Sequence, residues 1–346
     1  MDNATSAGSM RAFVVTGPGT AEVREVPVPV AGPGEVVVDV ERAGVCGTDT
    51  EFFTGEMSYL HTGQAAYPLR IGHEWAGVVS SAGPGVDPAW LGRRVTGDTM
   101  LGCGHCPRCA GGRQHLCADR YEIGIRRGWP GALATQLPVP VRALHPLPST
   151  VDSVAGALVE PGGNALRAVR GAALSPGERL LVAGPGTIGV LCALLAEADG
   201  IETHLLGVSA ESLAFARSLG VTATWTAETL PPLPFDAVID ASGAPSLPAR
   251  AVELVEPGRR VVFIGIAGEP SPLDSRELVF RDVTAVGVLS ASGGLAGTID
   301  RYAAGAVDPR PLVAATVGLD EVAAVLAGER RPAWGAAPKI HVDPRR

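Results

Sequence analysis

Four of the six cysteines in this chain fall within fifteen residues: Cys103, Cys106, Cys109 and Cys117, spaced C-x2-C-x2-C-x7-C. The loop around them is rich in glycine and also carries His105, Arg108 and Arg113. Two-residue spacers let successive thiolates face one centre, and four sulfurs complete a tetrahedral zinc shell with no open position. Such a site fixes a loop and performs no chemistry. Unrelated thiols or a pair of disulfides fit poorly, because only Cys46 and Cys192 lie outside the cluster and residues 1–9 lack the apolar core of a secretory leader. A second set is dispersed: Cys46 near Thr48 and Asp49, then His73-Glu74, then Glu160. Thiolate, imidazole and carboxylate all ligate zinc, and a shell that keeps one position for water is catalytic. Taken singly, each has a plainer explanation as a small core cysteine, a hydrogen-bonded strand histidine or a solvated loop acid.

The third constellation is Gly184-Pro185-Gly186-Thr187-Ile188-Gly189. It follows an apolar run at 180–183 that reads as a buried strand and opens a helical run at 188–198. In that context the first glycine makes the tight turn, the second lets backbone approach a pyrophosphate, and the third permits close helix–strand packing. The helix N-terminus adds free amides and a positive dipole end for phosphates. A dinucleotide site of the NAD type places an acid at the end of the next strand, about 20 residues on. Gly207 stands there instead, followed by Ser209 and Ser212, which are neutral donors; no arginine comes before Arg217. Without an acid to repel a 2′-phosphate, the balance leans weakly to NADP. An aspartate introduced at 207 is expected to turn the preference to NAD.

These groups need elements to hold them. Over the first 150 residues, β-branched runs at 12–15, 36–40, 75–79 and 94–96 alternate with glycine and proline punctuation, the texture of a barrel of short strands. From 161 onward strands (180–183, 204–208, 236–240, 260–264) alternate with helices (188–198, 211–219, 249–255), which implies a doubly wound parallel sheet. A helix at 319–327 and a strand at 338–342 close the chain. Residues 1–9 are small and polar and read as a loose tail.

The length of 346 residues and the 46% apolar fraction suffice for two cores. A net charge of −8 without a basic stripe argues against nucleic acid. The longest apolar stretch, near 188–196, is too short to cross a bilayer.

With these motifs in view, the chain resembles the zinc-dependent medium-chain alcohol and polyol dehydrogenases over nearly its whole length from Met10. The matching segments are GVCGTD (44–49), GHEWAGVV (72–79), the four-cysteine loop, VEP (159–161), the GPGTIG turn and SLAFARSLG (212–220). The resemblance implies a GroES-like β-barrel catalytic domain (10–160 and 305–346) and a Rossmann NAD(P)-binding domain (161–304). It makes Cys46, His73 and Glu160 catalytic zinc ligands, with Glu74 a ligand at rest or when water leaves. Asp49 becomes the acid that orients the ligand histidine, and Thr48 the hydroxyl that takes the substrate proton. Glu51 stands where many relatives carry a relay histidine, which suits a polyol or sugar.

The implied reaction interconverts a secondary alcohol and its carbonyl compound by hydride transfer to NAD(P), with zinc as Lewis acid. A cytoplasmic homo-oligomer, dimer or tetramer, acting on a small molecule and on neither nucleic acid nor membrane, is expected. Two other readings are a non-catalytic zinc- and nucleotide-binding relative and a zinc-free enone reductase. The joint presence of Cys46, Thr48, His73 and Glu160 speaks against both.

Overall fold

Valine-rich runs bounded by glycine and proline form sheets wherever their alternate residues find a common core. The computed structural model describes residues 8–346. Two units are resolved: one holds the described residues through Glu160 together with Val313–Trp334 and Lys339–Arg346, the other Pro161–Leu312 and Gly335–Pro338.

In the first unit the strand Glu35–Gly44 is central. It pairs antiparallel with Glu74–Ala82, with Lys339–Val342 and with Gln136–Pro140. Arg94–Gly97 and Leu144–Pro146 extend the sheet beyond Glu74–Ala82, and Val313–Val317 lies outside Lys339–Val342. One strand with three partners cannot sit in a flat sheet, so the strands wrap a core that includes Phe13, Phe52, Ile71, Trp75 and Leu137. The register sets Gly44 between Glu74 on one neighbour and His341 on the other. The first ligand candidate, Cys46, therefore emerges beside the second pair, His73-Glu74.

The second unit is a six-stranded parallel sheet in the order Ala223–Trp225, Glu202–Leu206, Arg179–Ala183, Phe235–Asp240, Val255–Phe263, Thr284–Gly287. Numbered along the chain this is 3-2-1-4-5-6, the dinucleotide-binding order, with its crevice where the order reverses between the first and fourth strands. Leu180, Leu181 and Val182 are fully buried, as strands covered on both faces must be.

The structure corrects several expectations. Of the expected tail, residues 1–7 lie outside the described residues, but Ser9 already opens the strand Ser9–Gly17 and pairs with Pro27. The second strand of the parallel sheet stops at Leu206, leaving Gly207 and Val208 beyond its end. Glu160 is no loop acid: it lies in the first turn of the helix Val159–Ala172, where Pro161 is tolerated because first-turn amides lack helical acceptors. The helix expected at 319–327 is a 3-10 turn, Leu319–Glu321, followed by Val322–Leu326. The edge strand Thr284–Gly287 gave no signal, since three of its four residues are exposed and carry no alternating pattern.

Candidate active site

The four-cysteine loop closes on itself. Sγ atoms of Cys103 and Cys109 lie 3.9 Å apart and those of Cys106 and Cys117 3.8 Å apart. A tetrahedron of sulfurs around zinc at ~2.3 Å has edges of ~3.8 Å, so the set has the dimensions of a metal shell. Backbone N–H groups reinforce it: Cys103 N donates to Cys117 Sγ (3.4 Å) and Cys109 N to Cys106 Sγ (3.5 Å). The backbone amides of His105 and Cys106 hold the Cys103 thiol down to about 6, whereas burial pushes Cys109 up to about 12. Crowded sulfurs resist ionising together without a cation, and a metal removes that conflict while releasing protons. Donor set, spacing and electrostatics fit zinc.

The dispersed set also converges. Cys46 is the N-cap of the helix Gly47–Thr54, and ligand atoms of Cys46, His73 and Glu74 all lie within 4.8 Å of one another. Asp49, fully buried on that helix, accepts from Cys46 N (2.9 Å) and Gly72 N (3.0 Å), and its Oδ1 stands 3.6 Å from His73 Nδ1. One carboxylate thus ties together both segments that carry the candidate ligands, a short-range consequence of a capping acid three residues after Cys46. Nδ1 of His73 is turned to Asp49, and Cys46 also acts on the ring. Burial would lower the His73 pKa, but Asp49 and then Cys46 outweigh it and raise it well above the ordinary histidine range. A buried histidine whose protonated form is favoured by its neighbours marks a place where positive charge belongs.

Glu74 is held by a different partner. Its Oε1 accepts from Lys339 Nζ at 2.8 Å, and Oε2 is buried without a hydrogen bond. The room for it comes from Gly44, where a Cβ would stand 2.0 Å from Glu74 Oε2. Lys339 also donates to Val45 O (3.0 Å) and is buried. Burial opposes its charge, and Glu74, Cys46 and Glu160 restore it, so its pKa ends above the usual lysine value. Glu160 is buried within the field of Lys339 but is not one of the three converging ligands. Of the expected set, the structure gathers Cys46, His73 and Glu74 and sets Glu160 one step behind.

Lys339 escaped the sequence reading. The signal was present: a lone lysine opening a fully buried terminal strand, Lys339–Val342, of sequence Lys-Ile-His-Val. Thr48, half-buried, and Glu51 occupy the same helix three residues apart, the spacing that puts side chains on one face. Burial, and then Glu56, raise the Glu51 pKa.

In the parallel-sheet unit the glycine turn has the expected geometry. Gly184 adopts φ +105°, where an L side chain is strained, and a Cβ at Gly189 would lie 1.8 Å from Gly184 O. Gly186 caps the helix Thr187–Ala198, has open space at its Cβ, and offers no side chain to the first-turn amides, which stay available to an anion. Thr187 and Ile188 form that first turn. Beside it lies a cavity of about 720 Å³ whose walls include Gly184, Gly207, Ser242 and Arg250. Ser209 caps the helix Ala210–Ser218 by accepting from Ser212 N (3.3 Å), which leaves its hydroxyl proton free to donate.

Two findings revise the selectivity argument. A Cβ at Gly207 would stand 2.6 Å from Pro185 Cγ, so an aspartate there collides with the turn before it can meet a ribose. An arginine does reach the cavity, but from the helix Leu247–Leu254: Arg250 lines it, paired at 2.7 Å with Glu253.

Comparison with known proteins agrees with this architecture. The family profile "Alcohol dehydrogenase GroES-like domain" matches residues 32–149, and "Zinc-binding dehydrogenase" matches 187–304. An L-threonine 3-dehydrogenase of Saccharopolyspora erythraea is 33% identical over 293 residues, covering 81% of this chain and 83% of the relative. A 2-dehydro-3-deoxy-L-galactonate 5-dehydrogenase of Pseudoalteromonas atlantica is 31% identical over 310 residues, covering 85% and 87%. A protein of Sinorhizobium meliloti 1021, solved bound to NADP, superposes with a TM-score of 0.88 at 29% identity, over 97% of this chain and 100% of that one. Barrel-type and parallel-sheet units, the cysteine cage and this similarity lead to one conclusion: the chain belongs to the zinc-dependent medium-chain alcohol and polyol dehydrogenase family.

Proposed function

We propose that the protein is a zinc-containing NAD(P)-dependent dehydrogenase that interconverts a secondary alcohol, set in a polyol, sugar acid or related hydroxyl compound, with its ketone or aldehyde. The observation that carries this reading is the convergence of half-buried Cys46 with buried His73 and Glu74, held by Asp49 and Lys339. Cys103, Cys106, Cys109 and Cys117 hold a structural zinc; Cys46, His73 and a carboxylate, Glu74 or Glu160, hold a catalytic one. When bound, the catalytic zinc supplies Lewis acidity toward a substrate oxygen, and NAD(P) supplies the hydride acceptor or donor.

The chain's own residues position and move protons. Asp49 fixes His73 and the Cys46 backbone, so the ligand geometry is set before substrate arrives. Lys339 holds the Glu74 carboxylate by a hydrogen bond and lies in the field of Glu160. Thr48 receives the hydroxyl proton, and Glu51, one helical turn along, takes it outward. A carboxyl raised by burial is better matched to that exchange near neutral pH than an ordinary one.

Gly184, Gly186, Thr187, Ile188 and Gly189 hold the pyrophosphate. Gly207, Ser209 and Ser212 border the adenosine ribose. No acid stands at 207, and a relative of 29% identity was solved with NADP, which supports a weak lean to that cofactor. A homo-oligomer is part of the reading: the edge strand Thr284–Gly287 leaves its outer hydrogen-bonding groups open beside Val279 and Phe280, which are 77% and 79% exposed. So is a cytoplasmic location, where cage thiols stay reduced.

The test has two parts. Elemental analysis of protein purified without chelator should give two zinc ions per chain. A panel of polyols, hydroxy acids and amino alcohols, each with NAD and with NADP, should yield reduced cofactor with at least one. Two zinc ions and no turnover across the panel would favour the non-catalytic relative.

A further inference from the structure

Away from the metal ligands, the first unit contains a cavity of about 260 Å³ that the proposed chemistry does not use. Its walls are apolar, with Val26, Leu69, Ile125 and Trp129 among them, and two guanidinium-bearing residues, Arg24 and Arg70, join them. The two arginines differ. Arg24 is exposed, and its Nε donates to Glu22 at 2.6 Å, so its charge is matched. Arg70 is half-buried, and among the described residues its side chain has neither a hydrogen bond nor an ion pair. Burial alone lowers its pKa, with no carboxylate contributing. The backbone is firmly held, since Arg70 O accepts from Gly131 N at 3.0 Å.

A cation taken partly out of water and left without a counter-ion is unfavourable, and proteins resolve this by pairing it. Among the described residues no acid lines the cavity, which leaves Arg70 open to an anion from solution. A planar guanidinium pairs best with a planar, two-oxygen anion. Only one uncompensated charge is present, which suits a monoanion rather than a phosphate dianion. The volume lies just below the usual range for small-molecule pockets, roughly 300–1,000 Å³, so the occupant is compact. The aromatic and aliphatic walls ask for an apolar body.

We propose that this cavity is a binding site for a small organic carboxylate with an apolar body, its carboxylate on Arg70 and its body against Trp129, Leu69 and Ile125. Arg70 lies three residues before His73, so the site is built on the segment that carries a candidate metal ligand, while none of Cys46, His73 and Glu74 lines it.

Calorimetric titration of the full-length, zinc-loaded protein with benzoate, and with its neutral isostere benzamide, tests this. Benzoate is expected to bind at least about tenfold more tightly than benzamide. Arg70→Gln should abolish that difference, while Arg93→Gln, at an exposed arginine stacked on Trp90, should leave it intact. If Arg70→Gln does not fold, Arg70→Lys serves: it keeps the charge but not the planar fork and should weaken benzoate several-fold. Equal binding of benzoate and benzamide overturns the proposal. So does undiminished benzoate binding in the Arg70 variants, which would put the acid elsewhere, the metal cluster included.

Discussion

Replacing Lys339 by methionine, which keeps most of the length of the side chain and removes its charge, is the sharpest perturbation of the ligand cluster. Lys339 and Glu74 are 2.8 Å apart with side-chain exposures of 5% and 2%, so neither can recover water when the other is lost. Breaking such a pair from one side leaves an uncompensated buried charge and costs about 3–5 kcal/mol. In a unit of this size that corresponds to a fall in Tm of about 6–20 °C. The structure adds a condition. A carboxylate oxygen of Glu74 already belongs to the cluster with Cys46 and His73, so a bound zinc would give the stranded carboxylate another cation. The loss should therefore be large after chelator treatment and clearly smaller in the zinc-loaded protein. Thermal unfolding of wild type and Lys339→Met, each with zinc and after chelation, measures both. Equal losses in the two states, or no loss in the chelated one, would refute the assignment of Lys339 as the cation that balances the ligand set.

Cys109→Ser should lower thermal stability and solubility and reduce zinc from two ions to one per chain, with turnover per folded molecule preserved; selective loss of turnover in a stable variant would contradict a structural cage. Thr48→Ala should keep zinc and cofactor binding while lowering turnover by roughly 10²-fold, as steady-state kinetics would show. Glu51→Gln should act mainly on the pH profile. Burial raises the Glu51 pKa, so its basic form is lost earlier as pH falls, and the acid limb of alcohol oxidation should flatten in the variant. Gly207→Ala drives a Cβ against Pro185 and should cost roughly 1–3 kcal/mol of stability, read by denaturant titration, while weakening NAD and NADP together. A selective effect on one cofactor would mean that the turn yields and that Gly207 governs selectivity after all.

What the sequence by itself determined is what short stretches of chain can build. The cysteine cage is one loop whose two-residue spacers fix sulfur separations locally, and its sulfurs stand where the spacing placed them. The turn from Gly184 to Gly189 is largely local: Gly184 is required by its positive φ and Gly189 by a contact with Gly184 O, while Gly186 has open space at its Cβ. Asp49 follows the same logic, since an acid at the third position of a helix returns to its own cap. Alternation of strand and helix beyond residue 161 was enough to imply the parallel sheet, because strands covered on both faces must be continuously apolar.

Only the tertiary structure decided the contacts made by residues far apart in the chain. Lys339 meets Glu74 across 265 positions because strand register sets Lys339–Val342 against the end of Glu35–Gly44. That meeting, with the space left by Gly44, brings Glu74 rather than Glu160 into the three-ligand cluster. Arg250 reaches the cavity beside the glycine turn from more than forty residues past the glycine at 207, and Pro185 closes over that glycine from another turn. A residue's type states which chemistry it can perform. Packing decides which partner it meets, because register and close contact, not sequence distance, set the separations over which charges and hydrogen bonds act.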